Sequence, residues 1–405
     1  FSSLGTDDAA DTSNLVNDIL VKKGYKVLFN PGGANGEAGH IVNLLKGVNI
    51  FNHCSADASV LEVDELSIDR TMPMVKPDYL IVTNLSKDNI KYGHPENIFS
   101  HMNRCFELLS DKTTAVLNAN DPISSNLGGN VKKVFCSIAD LGLHPYENRS
   151  KDISYCPRCR GEIEYSYRLY RFIGKYHCKS CDFGTHEADF EAKTVDLKNL
   201  TMTINDEADV RLISDSIFNA YNVLYVYALF RTMGDDSETV KNALNNVKMP
   251  KIRESVVEYN GIKYYAMASK GQNGSSSSNV FEYMHNEPSK KDIVLFLDEL
   301  QDWRHPPETI SWLYETDYEL LKSDNIHKII VGGHMYLNHK LRMLLAGVHE
   351  EKIVAFENKE DIPKYVSREG IEKVYVLFDV DFQFEAPVLR DQIVEYAKEA
   401  QNEKN

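Results

Sequence analysis

Tyr25-Lys26-Val27-Leu28-Phe29-Asn30-Pro31-Gly32-Gly33-Ala34-Asn35-Gly36 runs from a short strand-like segment into a glycine-rich turn. A brief apolar run closed by Pro and Gly is the mark of a strand that ends in a tight backbone turn. The same pattern recurs along the chain. Ala58-Ser59-Val60-Leu61-Glu62-Val63, Tyr79-Leu80-Ile81-Val82-Thr83 and Thr114-Ala115-Val116-Leu117-Asn118 read as strands, with a helix-like segment over 98–109. Strand and helix alternating at this spacing make βαβ units and a mostly parallel sheet, so the fold class is α/β.

The pattern breaks near Tyr155. Residues 156–181 hold two cysteine pairs and many aromatics, followed by a polar strand region to about Val210. Residues 216–232 and 237–246 read as helices, the second ending before Met249-Pro250, where a domain boundary is placed. A hairpin over 255–266 turns at Asn260-Gly261, a type I′ signal. Strands recur at 292–297, 327–331 and 373–378 with helices between them, which makes a second, Rossmann-like α/β unit. Gly274-Ser275-Ser276-Ser277-Ser278 reads either as a flexible linker or as a ligand-type loop after a strand. The expected division is 1–248, with 152–186 inserted in it, and 249–405. A chain of 405 residues suits two or three domains.

Hydrophobic residues are 42% and charged residues 26%, which excludes wholesale disorder. The net charge of −15 repels phosphate backbones, and the closest basic cluster, Arg149 to Arg160, is broken by Asp152, so nucleic acid is not an expected partner. No apolar run approaches the length of a membrane span, and none is expected. The first residues lack a basic region and an apolar core, so no signal peptide is read there; the abrupt start leads us to expect further residues upstream. Seven cysteines, four of them in tight pairs, fit a reducing, cytoplasmic setting better than a disulfide framework.

Cys156-Pro157-Arg158-Cys159 and Cys178-Lys179-Ser180-Cys181 are separated by 18 residues. Two such knuckles form a zinc-ribbon pattern, each turn aiming two thiolates at one point about 2.3 Å from a metal. Four thiolates close the tetrahedron, so the zinc is expected to be structural; two disulfides or free thiols are the alternative. The intervening 161–177 alternates as a hairpin, and His177 is read as a bystander. His40, His53, His94, His101, His305, His334 and His339 show no metal spacing, no GxSxG elbow is present, and Trp303 and Trp312 read as packing or interface residues.

The order of motifs resembles the MurT-type Mur ligase family. Asn30 to Gly39 is similar to its NPSGANxxTG loop, and Leu61-Glu62-Val63-Asp64-Glu65 to its LEIDE segment. Thr83-Asn84 with Lys87-Asp88 resembles TNxxRDQ, and Leu117-Asn118-Ala119-Asn120-Asp121-Pro122 resembles an LNGDDP-type strand end that meets adenine. Asn219-Ala220-Tyr221-Asn222 is similar to NxYN, and Ser311 to Glu319 resembles SWIWDADFE. The resemblance implies a Mur-ligase-like central parallel-sheet domain with the inserted ribbon, then a MurT-type C-terminal domain. It also implies a GatD-like glutamine amidotransferase partner, ATP and magnesium, and amidation of the stem-peptide D-glutamate of lipid II through an acyl phosphate.

Carried over residue by residue, the resemblance makes Glu62, Asn118, Asp121, Asn222 and Lys270 candidates for a nucleotide and magnesium cleft. Four of them have a plainer reading: Glu62 as a solvated acidic edge, Asn118 and Asn222 as turn and capping residues, Lys270 as an ordinary surface lysine. Glu315 and Asp317 fall where the family places an acid that completes the partner's Cys-His pair, with Glu315 one methylene longer than the family's Asp. Lys270 and Gly274 survive from a KNPxGAT-type loop.

One motif departs from the family. Its P-loop reads GTNGKTT, whereas this chain has Gly5-Thr6-Asp7-Asp8-Ala9-Ala10-Asp11. The lysine has become Ala9 and the magnesium-binding hydroxyl Ala10, and each close carboxylate–phosphate pair costs on the order of 1 kcal/mol or more. Asp7 or Asp8 is then left to cap the following helix. Two functions are expected to compete. One is an amidotransferase subunit with impaired or lost ATP use. The other is a non-catalytic paralogue that acts as scaffold or regulator, or that takes a different ligand in the old cleft.

Overall fold

Short apolar runs flanked by polar turns become strands because burying both faces of a parallel sheet needs near-continuous apolar sequence. The computed structural model describes all residues except 1, 5–8, 31–34, 52, 86–94, 144–152, 248–253, 270–272, 298–309, 380–381 and 403–405. The calls on Asp7, Asp8, Lys87, Asp88, Lys270 and Trp303 lie outside the described residues. The chain divides into two units, Phe1–Glu147 with Lys151–Met249, and Asn148–Ser150 with Pro250–Asn405.

The first unit begins with β1 (Ser2–Leu4), α1 (Ala9–Lys22), β2 (Val27–Phe29), α2 (Glu37–Lys46), β3 (Ala58–Val63), α3 (Ile68–Val75), β4 (Tyr79–Val82), α4 (Pro95–Glu107) and β5 (Thr114–Asn118). It continues with β6 (Lys132–Ile138), β7 (Ile163–Tyr170), β8 (Ile173–Cys178), β9 (Phe190–Asp196), β10 (Thr201–Ile204), β11 (Ala208–Arg211), α5 (Ile217–Met233) and α6 (Ser237–Asn245). Among the described residues the main sheet has nine strands in the order β11-β10-β9-β6-β5-β4-β1-β3-β2. Strands β2 to β6 with β1 and β9 pair in parallel, and β9, β10 and β11 form an antiparallel edge. That edge is the polar strand region read in the sequence.

Helix α5 is buried on every face from Asn219 to Phe230, which makes it a core helix rather than an amphipathic one. Ser216 caps its start, accepting from the Phe218 N–H, and Gly234 ends it at φ 105°, a left-handed turn that suits glycine. Its tyrosines keep their hydroxyls paired: Tyr221 donates to Asn120 Oδ1 (2.8 Å) and Tyr225 to the Thr83 carbonyl (3.2 Å).

The second unit holds β12 (Glu254–Tyr259), β13 (Ile262–Ala268), α7 (Gly274–Asn286), β14 (Lys291–Phe296), α8 (Ser311–Glu315), β15 (Ile326–Gly332), α9 (Tyr336–Leu345), β16 (Ile353–Phe356), α10 (Ile362–Tyr365), β17 (Lys373–Phe378) and α11 (Glu385–Asn402). Among the described residues its sheet runs β12-β13-β17-β14-β15-β16, antiparallel only at β12. The β12–β13 turn has Asn260 at φ 51° and Gly261 at φ 75°, the two positive values that a type I′ turn requires.

Gly274 to Ser278 is neither linker nor open loop. It is the first turn of α7, capped by Asn273, whose Oδ1 accepts the Ser275 and Ser276 N–H groups at 3.0 Å. Among the described residues no helix is long and apolar enough to cross a membrane.

Candidate functional site

The cysteine site is built by two reverse turns at the open end of the β7–β8 hairpin. The Cys156 N–H donates to the Gly161 carbonyl (2.7 Å), and Arg160, at φ 63°, donates its N–H to the Cys156 carbonyl (2.8 Å). The N–H groups of Gly161 and Ser180 each point at a sulfur, Cys159 and Cys178, at 3.4 Å. The Sγ atoms of Cys156, Cys159, Cys178 and Cys181 all lie within 4.8 Å of one another. Cys156 and Cys181 are 3.7 Å apart, and Cys159 and Cys178 are 3.5 Å apart. Disulfide sulfurs sit at about 2.0 Å. A tetrahedron with bonds of about 2.3 Å has edges of about 3.8 Å. The donor set therefore fits a four-coordinate thiophilic ion. A Cβ on Gly161 would come within 2.5 Å of Ser180 Oγ and 3.0 Å of Cys178 Sγ, so glycine keeps that space open. His177 lies outside the cluster, 3.6 Å from Glu164.

Of the second set of predicted residues, Glu62, Asn118 and Asp121 lie at the carboxyl edge of the first sheet, Asn222 is on α5, and Lys270 lies outside the described residues. That edge is where α/β folds bind ligands, beside the strand at which the order reverses. Strand β1 lies between β3 and β4, with Ser3 opposite Glu62 and Leu4 opposite Val63 and Val82. Glu62 is half-buried; its Oε1 accepts from Asn35 Nδ2 (3.3 Å). Its strand end is fixed by Asn30, whose Oδ1 accepts the Glu62 N–H (3.2 Å), and by His40, whose Nε2 meets the Glu62 carbonyl (2.7 Å). Asn222 on α5 accepts from the Thr12 hydroxyl in α1 (3.0 Å), which ties the start of α1 to the core helix.

Asn118 is fully buried. Its Oδ1 accepts the Asn120 N–H (3.0 Å), while its Nδ2 has no partner among the described residues. Asp121 is also fully buried, and its two oxygens accept the N–H groups of Leu85 (2.6 Å) and Ile123 (2.9 Å). Burial pushes its carboxyl up to about 7, against the opposing pull of those backbone donors. Asp121 thus staples the loop after β4 to the loop after β5. Asn120, which sequence reading passed over, is the hub. Its Oδ1 accepts from Ile138 N–H (2.7 Å) and Tyr221 Oη (2.8 Å), and its carbonyl accepts the Gly174 N–H (2.9 Å). No local pattern marks such a residue, because its side-chain partners are distant in sequence.

The second unit brings Glu315 and Asp317 into one turn and separates their surroundings. Glu315, at the end of α8, is half-buried, whereas Asp317 is fully buried, with its N–H donating to Ser278 Oγ (2.9 Å). Of the two acids, Glu315 is the one with solvent access. Arg342 on α9, 1% exposed, holds the turn from inside. It donates to the carbonyls of Leu313 (3.0 Å) and Thr316 (2.8 Å) and to Glu319 Oε2 (2.8 Å). Gly274 closes against the same turn: a Cβ there would sit 3.1 Å from Glu315 Cβ and from the Trp312 carbonyl. Trp312 is buried, as a packing residue should be.

A Ser–His–Asp cluster, Ser367, His327 and Asp292, uses a single ring nitrogen, Nδ1, for both contacts (3.3 and 3.0 Å). It lacks the two-sided imidazole that a proton relay needs.

Residues 12–230 match the family model for the Mur ligase middle domain, and residues 271–380 match that for the MurT ligase C-terminal domain. The chain is 29% identical over 395 residues to the lipid II isoglutaminyl synthase (glutamine-hydrolyzing) subunit MurT of Staphylococcus aureus (strain COL), covering 95% of this chain and 85% of the relative. Among solved structures it resembles a pseudomurein peptide ligase type C from Methanothermus fervidus, with TM-score 0.69, 18% identity, and coverage of 97% of this chain and 78% of that one. It also resembles the MurF ligase of Thermotoga maritima in complex with ADP, with TM-score 0.59, 15% identity, and coverage of 100% and 80%.

Proposed function

The chain belongs to the Mur ligase family and carries a MurT ligase C-terminal domain, and on that premise we propose that it is a MurT-like subunit of a glutamine-dependent amidotransferase complex acting on lipid II, with its own ATP use impaired or lost. The observation that carries this reading is a split in what the chain retains. Residues 271–380 match the MurT C-terminal model, while the middle-domain match begins at Thr12, past the loop where lysine and threonine have become Ala9 and Ala10.

In this reading a GatD-like subunit docks at the C-terminal unit, 249–405, and Glu315 orients the partner's catalytic histidine. The half-buried position of Glu315, in a turn pinned by Arg342, supports that assignment over the fully buried Asp317. Cys156, Cys159, Cys178 and Cys181 hold one structural zinc within 152–186, and the ion supplies a cross-link that replaces a larger core. Reduced thiols in that arrangement suit a cytoplasmic site of action.

The old nucleotide cleft keeps Glu62, Asn118, Asp121 and Asn222, but its first loop has Ala9 where a triphosphate needs a lysine. The residues of that first loop therefore do not fit ATP-magnesium chemistry, and no step is assigned through it. That mismatch favours the second reading, a scaffold or regulator that keeps fold and partner surface, or a chain that takes a less anionic ligand in the same cleft.

The test mixes the purified chain with a GatD-like subunit, glutamine, ATP-magnesium and a lipid II analogue. A stable complex with no amidation above the partner alone is expected. The triple change Asp8→Gly, Ala9→Lys and Ala10→Thr should restore nucleotide binding. Failure to form any complex, or amidation by the unmodified chain, contradicts the proposal.

A further inference from the structure

The four-cysteine hairpin grips more than its own metal site. It lies against the loop that follows β5 and the end of β6, four of the following contacts reaching that loop and one the Ile138 carbonyl of β6. The Gly174 N–H donates to the Asn120 carbonyl at 2.9 Å. Tyr167 Oη donates to the Ile138 carbonyl at 2.8 Å and accepts from Asn120 Nδ2 at 3.4 Å. Tyr176 Oη, on a side chain 2% exposed, meets Ser125 Oγ and accepts from Asn126 Nδ2 at 2.8 Å. Ser125 and Asn126 in turn hold the carbonyls of Asp121 (2.8 Å) and Pro122 (3.1 Å). A Cβ on Gly174 would lie 2.2 Å from the Tyr167 carbonyl, so the hairpin itself must be glycine there to close.

We propose that Tyr176 and Tyr167 are positioning residues: with the cysteine knuckles fixing the hairpin, they clamp 119–127 and so set Asn118 at the carboxyl edge of the first sheet. The physical reason lies in the loop. It follows Asn118 and carries Asn120, Asp121, Ser124 and Ser125, all at most 1% exposed; Ile123 and Leu127 anchor it in the apolar core but do not orient these polar side chains. Hydrogen bonds must do so, and directional bonds hold only if their far partners are rigid. A β7–β8 hairpin of two strands is marginal by itself. The metal-ligating knuckles at its open end supply the missing rigidity. Aromatic contacts carry that rigidity inward: Tyr176 packs on Phe183 (centroids 6.0 Å) and Phe183 on Phe99 of α4 (5.9 Å). The inference concerns loop order, so it stands or falls independently of whether nucleotide binds.

Amide hydrogen exchange on the full chain tests it in four forms: zinc-loaded, chelator-stripped, and zinc-loaded Tyr176→Phe and Tyr167→Phe. Each phenylalanine keeps the ring and removes only the hydroxyl. Exchange across 119–127 is expected to rise about tenfold in the stripped protein and in each variant. Strands 58–63 and 201–211 should stay unchanged, with one equivalent of zinc retained in both variants. Re-addition of zinc should reverse the effect in the stripped protein but not in the variants. Unchanged exchange at 119–127 in the stripped protein and both variants overturns the proposal. So does an equal rise across all strands, because the hairpin would then support the unit generally rather than this loop.

Discussion

The four-cysteine knuckles and the β1–α1 junction belong to the same unit, and their chemistry has gone opposite ways. The knuckles retain all four sulfurs at tetrahedral spacing. The junction carries Ala9, Ala10 and three acids where the MurT-type P-loop that it resembles has a lysine and a hydroxyl. The contrast shows which groups a fold needs. Helix α1 is held by Leu15, Val16, Ile19 and Leu20, each at most 4% exposed, and by Thr12 bonding to Asn222. Its attachment does not depend on a lysine that serves only phosphate. The cysteines, by contrast, would cross-link the two turns of the β7–β8 hairpin through a bound metal, so losing one should be felt by the fold.

That difference is sharpest in the first comparison of variants. Cys156→Ser or Cys178→Ser should release the metal and lower the thermal midpoint by about 10 °C or more. Asp8→Gly with Ala9→Lys should move it by less than about 2 °C. Metal analysis and scanning calorimetry read both, and equal shifts would break the contrast.

Next in size is Arg342→Met, which removes the cation beside Glu319 and its bonds to the Leu313 and Thr316 carbonyls. It should cost about 3–5 kcal/mol by chemical denaturation, and Arg342→Lys less. A loss below about 1 kcal/mol would mean that the 311–319 turn is held by other contacts.

Asp121→Asn exchanges one acceptor oxygen for a donor facing a backbone N–H and should cost about 1–3 kcal/mol. Its pH dependence has a definite sign. The folded carboxyl lies near 7 against 3.8 for the free group. The native state therefore binds the extra proton between those values, and this group's contribution to stability falls as pH rises from about 4 to about 7. In Asp121→Asn that part of the slope should vanish; an unchanged slope assigns it to other groups.

The smallest change in stability is expected from Glu315→Gln, within about 0.5 kcal/mol, yet glutamine hydrolysis by the complex should fall by about 100-fold. Unaltered hydrolysis would remove Glu315 from the partner's catalytic set.

The strands at 58–63, 114–118 and 373–378 were legible because apolar runs between turn residues state their own burial, and their observed bounds match that reading. The hairpin turn was legible because only positive φ at Asn260 and Gly261 closes it. The cysteine cluster was legible from spacing alone, since two close pairs bring their own geometry. Strand β16 was not read, as Ile353–Phe356 is four residues with no turn chemistry of its own. The start of α7 was obscured because four serines carry no apolar period, although Ser275, Ser277 and Ser278 are buried. Asn120 and Arg342 were invisible for a deeper reason. The side chain of each acts through partners that only the fold brings near, backbone groups among them, and these leave no mark in the local sequence.

The most direct measurement is a calorimetric titration of ATP-magnesium into the pure chain. The expected result is no binding in the low micromolar range, because Ala9 supplies no cation and the neighbouring acids repel phosphate. Binding in that range would contradict the loss of ATP use and restore the chain as a working synthetase subunit.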